Sequence, residues 1–287
     1  MSRNRDRVGG TQHQDASPPP QQVAQSQHEN IEQFAFVVPT EFVELPSQGR
    51  FYPEGHPLCG VDTIEIRHMT AKEEDMLTSR TLLKKGIALD RVIRSLIIDK
   101  SINPDTLLVG DRNAIIIATR SAGYGNDYDT KVTCPACGTV QQYSFDLNAA
   151  EIYNGGPAAN MEVTDNENGT FDVVLPKTEI TVTFRLLTGA DEKRFLDGLE
   201  IDRKQKQDRN VTRQLRNIIV AVNNNDSSEA ISYLVNNIPS IDSRYLRSAY
   251  RLSTPDIDLT QNFICEECNH EVDLEVPLSA DFFWPDR

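Results

Sequence analysis

The chain has 287 residues, 38% of them hydrophobic, and 29 basic against 43 acidic side chains for a net charge of −14. That length accommodates one large domain or two ordinary ones with a sizeable core. The charge argues against non-specific nucleic-acid binding by the whole chain, which needs surplus Lys and Arg, and against docking on an anionic membrane; a local basic patch stays open.

Arg3, Arg5 and Arg7 lie near the start with no apolar run behind them, so no secretory signal is expected. No stretch reaches the roughly 18 apolar residues of a membrane span. A reducing cytosol is therefore the expected compartment. There, five cysteines with four in CxxC pairs point to metal or redox chemistry rather than a disulfide framework. The fifth, Cys59, is read as a small thiol without a role.

Residues 1–33 are rich in Gln, Ser, Pro and charge, which predicts a disordered tail. It is either a plain solubilising terminus or an arm that orders on a partner. Residues 34–60 contain Leu45-Pro46-Ser47-Gln48-Gly49-Arg50-Phe51-Tyr52-Pro53, too rich in Pro and Gly for regular structure yet bearing aromatic anchors. They predict an extended arm packed on its own domain or on a neighbouring subunit. Val61 to Arg67 alternates as a strand. Thr70-Ala71-Lys72-Glu73 is a capping box opening a helix to about Lys85. Apolar helices follow over Ala88–Ile98 and Asn113 to about Ala122.

From Asp127 the period becomes two. Tyr128, Thr130 and Val132 lead to Cys134-Pro135-Ala136-Cys137-Gly138, and Val140, Tyr143 and Phe145 lead away, the pattern of a β-hairpin with a CxxC knuckle at its turn. After a break at Asn154–Pro157, residues 161–187 form a β-meander. Thr188 caps a helix through Phe195 and Leu199. The charged run Asp202–Arg213 is read as a solvated face, or as a contact for phosphate or an acidic partner. Helices are expected over Gln214–Val222, over Ser228–Asn236, and from Ile238-Pro239-Ser240 to about Leu252. A second hairpin carries Cys265-Glu266-Glu267-Cys268-Asn269, and Phe282-Phe283-Trp284 closes the chain.

These segments repeat in order. Ile64–Ile66 with its Thr70 cap matches Val182–Phe184 with its Thr188 cap. Gly110-Asp111-Arg112 matches Ile241-Asp242-Ser243-Arg244, and each copy ends on strand, CxxC, strand. The first copy spans 61–153 and the second 154–287. The fold class is thus α+β: two pseudo-repeated helix-plus-hairpin units resembling zinc ribbons, with a small β-meander and a disordered tail.

Structural zinc takes four tetrahedral ligands, so neither knuckle suffices alone. Two copies about an approximate two-fold axis would set Cys134, Cys137, Cys265 and Cys268 around one zinc ion. Loop closure over the 131 positions between the knuckles penalises this little. Redox-active CxxC pairs usually open a helix, whereas both pairs here sit in hairpins. His270 is a further candidate ligand, ranked below the four thiols that already complete the tetrahedron, and a degenerate site without metal stays open. The chain has no phosphate loop, no nucleophile elbow and no HExxH helix, so the site is expected to be structural and the protein not an enzyme.

The Leu45–Pro53 segment, the helical block after Thr70, and Gly123-Tyr124-Gly125 through the Cys134–Gly138 knuckle resemble the baseplate hub assembly proteins of T-even-like contractile-tailed phages. The resemblance covers residues 36–150 well and the second copy loosely. It implies a non-catalytic structural or chaperone role, other baseplate and hub proteins as partners, and a place in the host cytoplasm during assembly or in the virion tail. Zinc is argued from this chain alone. The tail, the arm and the Phe282–Trp284 end are the expected partner contacts. The alternative is a zinc-ribbon adaptor that binds nucleic acid or the host transcription machinery through the basic run from Arg203 to Arg216.

Overall fold

A computed structural model describes residues 36–84, 86–156, 161–205, 209–276 and 280–283. The tail expected over 1–33 lies outside them, as does Trp284. The secondary structure of the described residues belongs to the unit Pro39–Arg287. It is α+β: eight α-helices among the described residues, with several small antiparallel sheets.

The first half opens with β1 (Thr40–Glu44) antiparallel to β2 (Thr63–Arg67), Val43 opposite Ile64. The arm between them folds onto its own chain. Gln48 and Gly49 take positive φ values of 52° and 70°. A Cβ on Gly49 would lie 2.4 Å from the Val61 nitrogen, so only glycine fits this return. Phe51 and Tyr52 are each only 5% exposed. Phe51 packs 5.6 Å from Phe171, and the Tyr52 hydroxyl donates to Asp111. Both aromatic residues are therefore core, not surface contacts.

Helices α1 (Ala71–Thr78) and α2 (Arg80–Lys84) replace the single helix expected after Thr70, because Ser79 between them is extended. Helix α3 (Ala88–Leu96) ends where Ile97 bridges to Ile66 of β2. Helix α4 (Val109–Tyr124) starts four residues earlier than the sequence suggests. It leads to β3 (Asp127–Thr133), β4 (Val140–Asp146) and the short β5 (Glu151–Tyr153).

The second half contains β6 (Val163–Asp165), β7 (Thr170–Val174) and β8 (Thr181–Arg185), then α5 (Gly189–Gln205) and α6 (Asn210–Ile218). The stretch Ile219–Val222, expected to end a helix, is strand β9 instead. Its mostly β-branched residues pair antiparallel with β8 to give the sheet order β6-β7-β8-β9. Helices α7 (Ser228–Asn237) and α8 (Ser240–Ser253) precede β10 (Asp256–Asp258), which pairs with β5. The hairpin β11 (Thr260–Ile264) and β12 (Glu271–Glu275) follows.

Two side-chain devices recur at matched positions. Arg67, at the end of β2, grips Glu73 through both terminal guanidinium nitrogens while the Glu73 carboxylate accepts the Thr70 N–H and hydroxyl. Arg185, at the end of β8, does the same to Asp191, which accepts from Thr188. Against the upward push of burial, the arginines and threonines hold Glu73 and Asp191 each at about 2. In the first turn of α4, Asp111 accepts the Ser47 N–H and hydroxyl. In the first turn of α8, Asp242 accepts the Lys177 and Thr178 N–H groups and the Thr178 hydroxyl. Ser47 follows Leu45-Pro46, Lys177 follows Leu175-Pro176, and each aspartate lies 23 positions before the first cysteine of its knuckle. The repeat thus includes the strand and turn of the arm.

The halves share one core. Phe51 of the arm packs on Phe171 of the second half, whose ring stacks on Phe184 at 5.4 Å. Arg112 and Lys193 each approach Asp90 to 2.8 Å, and Leu108 bridges to Thr188. Phe282 and Phe283 are buried, and the Phe282 carbonyl accepts from the fully buried Arg120. The expected terminal contact surface is therefore, in its described part, an internal anchor. Among the described residues no helix is long and apolar enough to cross a membrane.

The two held-down carboxyls set an acid limit. Their stabilisation is complete above the unfolded carboxyl range near pH 4 to 5 and is lost as pH falls toward 2. Urea melts between pH 7 and pH 2 should show that fall. Glu73→Gln or Asp191→Asn should cost about 3 kcal/mol at pH 7 and flatten it, because each leaves a partly buried arginine unpaired.

Candidate metal centre

Each cysteine pair sits on the turn of a two-stranded hairpin. In the first, the Cys134 N–H donates to the Thr139 carbonyl, and the Gly138 N–H returns to the Cys134 carbonyl at 2.9 Å. In the second, the Cys265 N–H donates to the His270 carbonyl and the Asn269 N–H to the Cys265 carbonyl, also at 2.9 Å. Both turns need a left-handed residue after the second cysteine. Gly138 supplies it at φ 75° and Asn269 at φ 54°. Asparagine is among the few non-glycine residues that visit this region readily.

The hairpins meet across the repeat. Tyr143 of β4 packs edge-on against Phe263 of β11 at 5.4 Å and donates to the Asn262 carbonyl. Gln261 exchanges two hydrogen bonds with the Asp146 backbone. The Glu266 N–H, first inside the second knuckle, donates to the Gln141 side chain of the first hairpin. Pro135 holds the matching place in the first knuckle and has no N–H. The residue matching Gln141 is Val272, which accepts nothing.

This contact brings four sulfurs together. Cys134 and Cys265 are buried, Cys137 and Cys268 exposed. The Cys134 and Cys268 sulfurs lie 3.7 Å apart, as do those of Cys137 and Cys265. All four fall within 4.8 Å of one another, with no histidine or carboxylate in the group. A tetrahedron with metal–sulfur bonds of about 2.3 Å has edges of about 3.8 Å, so the spacing fits one ion shared by both knuckles. Thr139, through its hydroxyl and backbone N–H, holds Cys137 down to about 6. At Cys268 the His270 N–H also favours the thiolate, but desolvation and the three neighbouring thiols push the group up to about 12. His270 thus serves through its backbone, not its ring. Four crowded thiols in a hairpin contact are a donor set for a soft, tetrahedral cation.

The other candidates go elsewhere. Cys59 is exposed and outside the cluster. His56 stacks on Tyr52 at 4.4 Å and bonds the Thr106 hydroxyl. In the charged run Arg213 pairs with Asp202. Arg209, Arg213 and Arg216 line an open groove of about 610 Å³ with Thr212 and Asn236. Sequence reasoning did not reach the cross-hairpin bonds of Gln141 and Gln261, because a lone glutamine carries no spacing signal.

A protein-family model described as T4 bacteriophage base plate protein matches the chain over residues 38–174 and 166–283. The two matched segments begin just ahead of β1 and of β7. No curated protein and no solved structure matches.

The left-handed turn residues give a direct check. Asn269→Val, a β-branched side chain at positive φ, should lower stability by about 2 kcal/mol in urea melts, whereas Asn269→Gly should change it by less than about 0.5 kcal/mol.

Proposed function

The chain belongs to the family of T4 bacteriophage base plate proteins, and from that premise we propose that it is a non-enzymatic structural or assembly protein of the phage tail baseplate hub. One structural zinc ion bound by Cys134, Cys137, Cys265 and Cys268 clamps its two halves. The observation that carries the clamp is the 3.7 Å sulfur spacing across knuckles from different halves. Zinc suits four thiolates in a closed tetrahedron, and a site with no open position holds structure without activating water. The clamped units are 61–153 and 154–287, with 34–60 as the strand and turn leading into the first. The partners are other baseplate and hub proteins, met in the host cytoplasm during assembly and in the virion tail.

The runner-up, an adaptor for nucleic acid or the host transcription machinery, draws on the groove of three arginines. Asp202 already neutralises one of them, and a net charge of −14 opposes a polyanion. Binding to DNA that weakens steeply with salt would favour it over the baseplate reading.

Metal analysis of the purified protein should give one zinc per chain, lost in Cys134→Ser and equally in Cys265→Ser. Two zincs per chain would falsify the shared site. Chelation should lower Tm by about 10 °C or more, because zinc binding is linked to folding. Infections lacking the protein should accumulate heads without complete tails. If they build complete tails at normal yield, the hub reading fails.

A further inference from the structure

The internal repeat acts as its own control, and strand β6 is among the elements without a described counterpart. In the second half the sheet runs β6-β7-β8-β9. In the first half, β1 stands for β7, β2 for β8, and the Ile66–Ile97 bridge for the Phe184–Ile219 pairing of β8 with β9. Among the described residues nothing stands for β6. The positions matching β6 itself, 33–35, lie outside the described residues, and the stretch Phe36–Pro39 that matches the β6–β7 turn takes a different path. The Asn166 N–H closes the β6–β7 turn onto the Thr170 carbonyl, whereas Pro39 extends β1 straight on, its carbonyl accepting the His68 N–H.

The hydrogen-bond phase shows what this leaves. Bonds from His68 to Pro39 and from Leu45 to Asp62 bracket the β1–β2 pairing. Antiparallel ladders alternate, so Glu41 and Val43 bond to β2, while Thr40, Phe42 and Glu44 turn their N–H and C=O groups outward. In the second half the residue matching Phe42 is Asp172, which pairs with Thr164 of β6. The outward groups of β1 find no partner among the described residues, and the Phe42 side chain is 71% exposed. An open strand edge of this kind is a template for another strand.

We propose that the outer edge of β1 is a strand-addition site that takes an extended, basic segment of another protein. Its chemistry follows from the positions β6 covers in the second half. Val43 matches Val173, which faces Val163, so the incoming strand presents an apolar residue there. Glu41 matches the fully buried Phe171, and its Oε1 is buried without a hydrogen-bond partner. A cation opposite Glu41 satisfies it. Glu44 and Asp62 line a groove of about 350 Å³ at the end of the edge, beside Ile152. None of Glu41, Glu44 and Asp62 has an ion-pair partner among the described residues. A second copy of this chain would bring two further glutamates and no cation to the edge, so the charge pattern selects a basic partner. The site lies apart from the cysteines and holds whether or not they bind metal.

The test uses the full chain and a dye-labelled synthetic peptide with the core Lys-Val-Thr-Lys-Thr, read by fluorescence anisotropy. The control is the same peptide with glutamate for lysine. The basic peptide should bind saturably and the acidic one about tenfold more weakly or not at all. Phe42→Pro removes an outward N–H while sparing the bonds to β2, so it should keep the parent Tm and circular dichroism yet weaken peptide binding about tenfold. Absence of binding, equal binding of both peptides, or unchanged binding by a folded Phe42→Pro protein overturns the proposal. So does a dimer in sedimentation that Phe42→Pro abolishes, which would make the occupant a second copy. Peptide binding seen only after removal of residues 1–35 also overturns it, since the occupant would then be this chain itself.

Discussion

Two buried carboxylates set the geometry on which the rest depends. Asp111 and Asp242 each open a helix and each tie down the turn that follows a Leu-Pro pair. A carboxylate removed from water is costly unless its oxygens are saturated with donors, and each of these accepts three hydrogen bonds. Because the donors are mostly backbone and short hydroxyls, the contact leaves little freedom in the angle between strand hairpin and helix. The helix then leads, over the same 23 positions in each half, to a cysteine hairpin. With the halves packed on one core, the knuckles meet at the contact of Tyr143 with Asn262, Gln261 with Asp146 and Gln141 with Glu266. At Asp111, burial raises the carboxyl, while the Ser47 and Tyr52 bonds favour its charged form.

Tyr128 and Phe145 root the first hairpin in the main core, but the cysteine ends of both hairpins bury little. Their own cluster is Cys134, Phe263 and Cys265 with a few half-buried neighbours, and Val140 and Ile264 are more than half exposed. An isolated two-stranded hairpin is marginal in water, and the polar bonds across this contact are mostly exposed. The four thiols therefore occupy the place where a larger domain would put a second apolar core. That is the usual station of structural zinc, where metal binding replaces missing hydrophobic burial.

What the sequence disclosed, and what it hid, follows from the range of the interactions. The knuckles, the Thr70 and Thr188 caps and the alternating hairpins rest on local spacing and were legible, as was the α+β class. The break at Ser79 and the strand Ile219–Val222 were not. Each is decided by what packs beside it rather than by its own pattern, β9 existing because β8 offers an edge. Phe51 and Tyr52 looked like surface anchors because proline and glycine surround them. Their burial depends on Phe171 and Asp111, both far along the chain. The grips of Arg67 on Glu73 and of Arg185 on Asp191 were written at equal spacing in both copies, yet a single arginine after a strand gives no reason to expect one.

The differences between the copies fall into two kinds. At the contact between the hairpins they are compensated. Glu266 brings an N–H that Pro135 lacks, and Gln141 is present to accept it where the other half has Val272. At the periphery one difference is not. Among the described residues β1 has no counterpart of β6 beside it, its outward main-chain groups have no partner, and a glutamate oxygen is buried without one where the other half has a phenylalanine. Buried polar atoms are nearly always satisfied in native proteins, and exposed strand edges are usually blocked. A compensated asymmetry records two halves adjusting to each other. An uncompensated one, in a fold that gives Asp111 and Asp242 three donors apiece, fits a surface whose complement lies on another molecule.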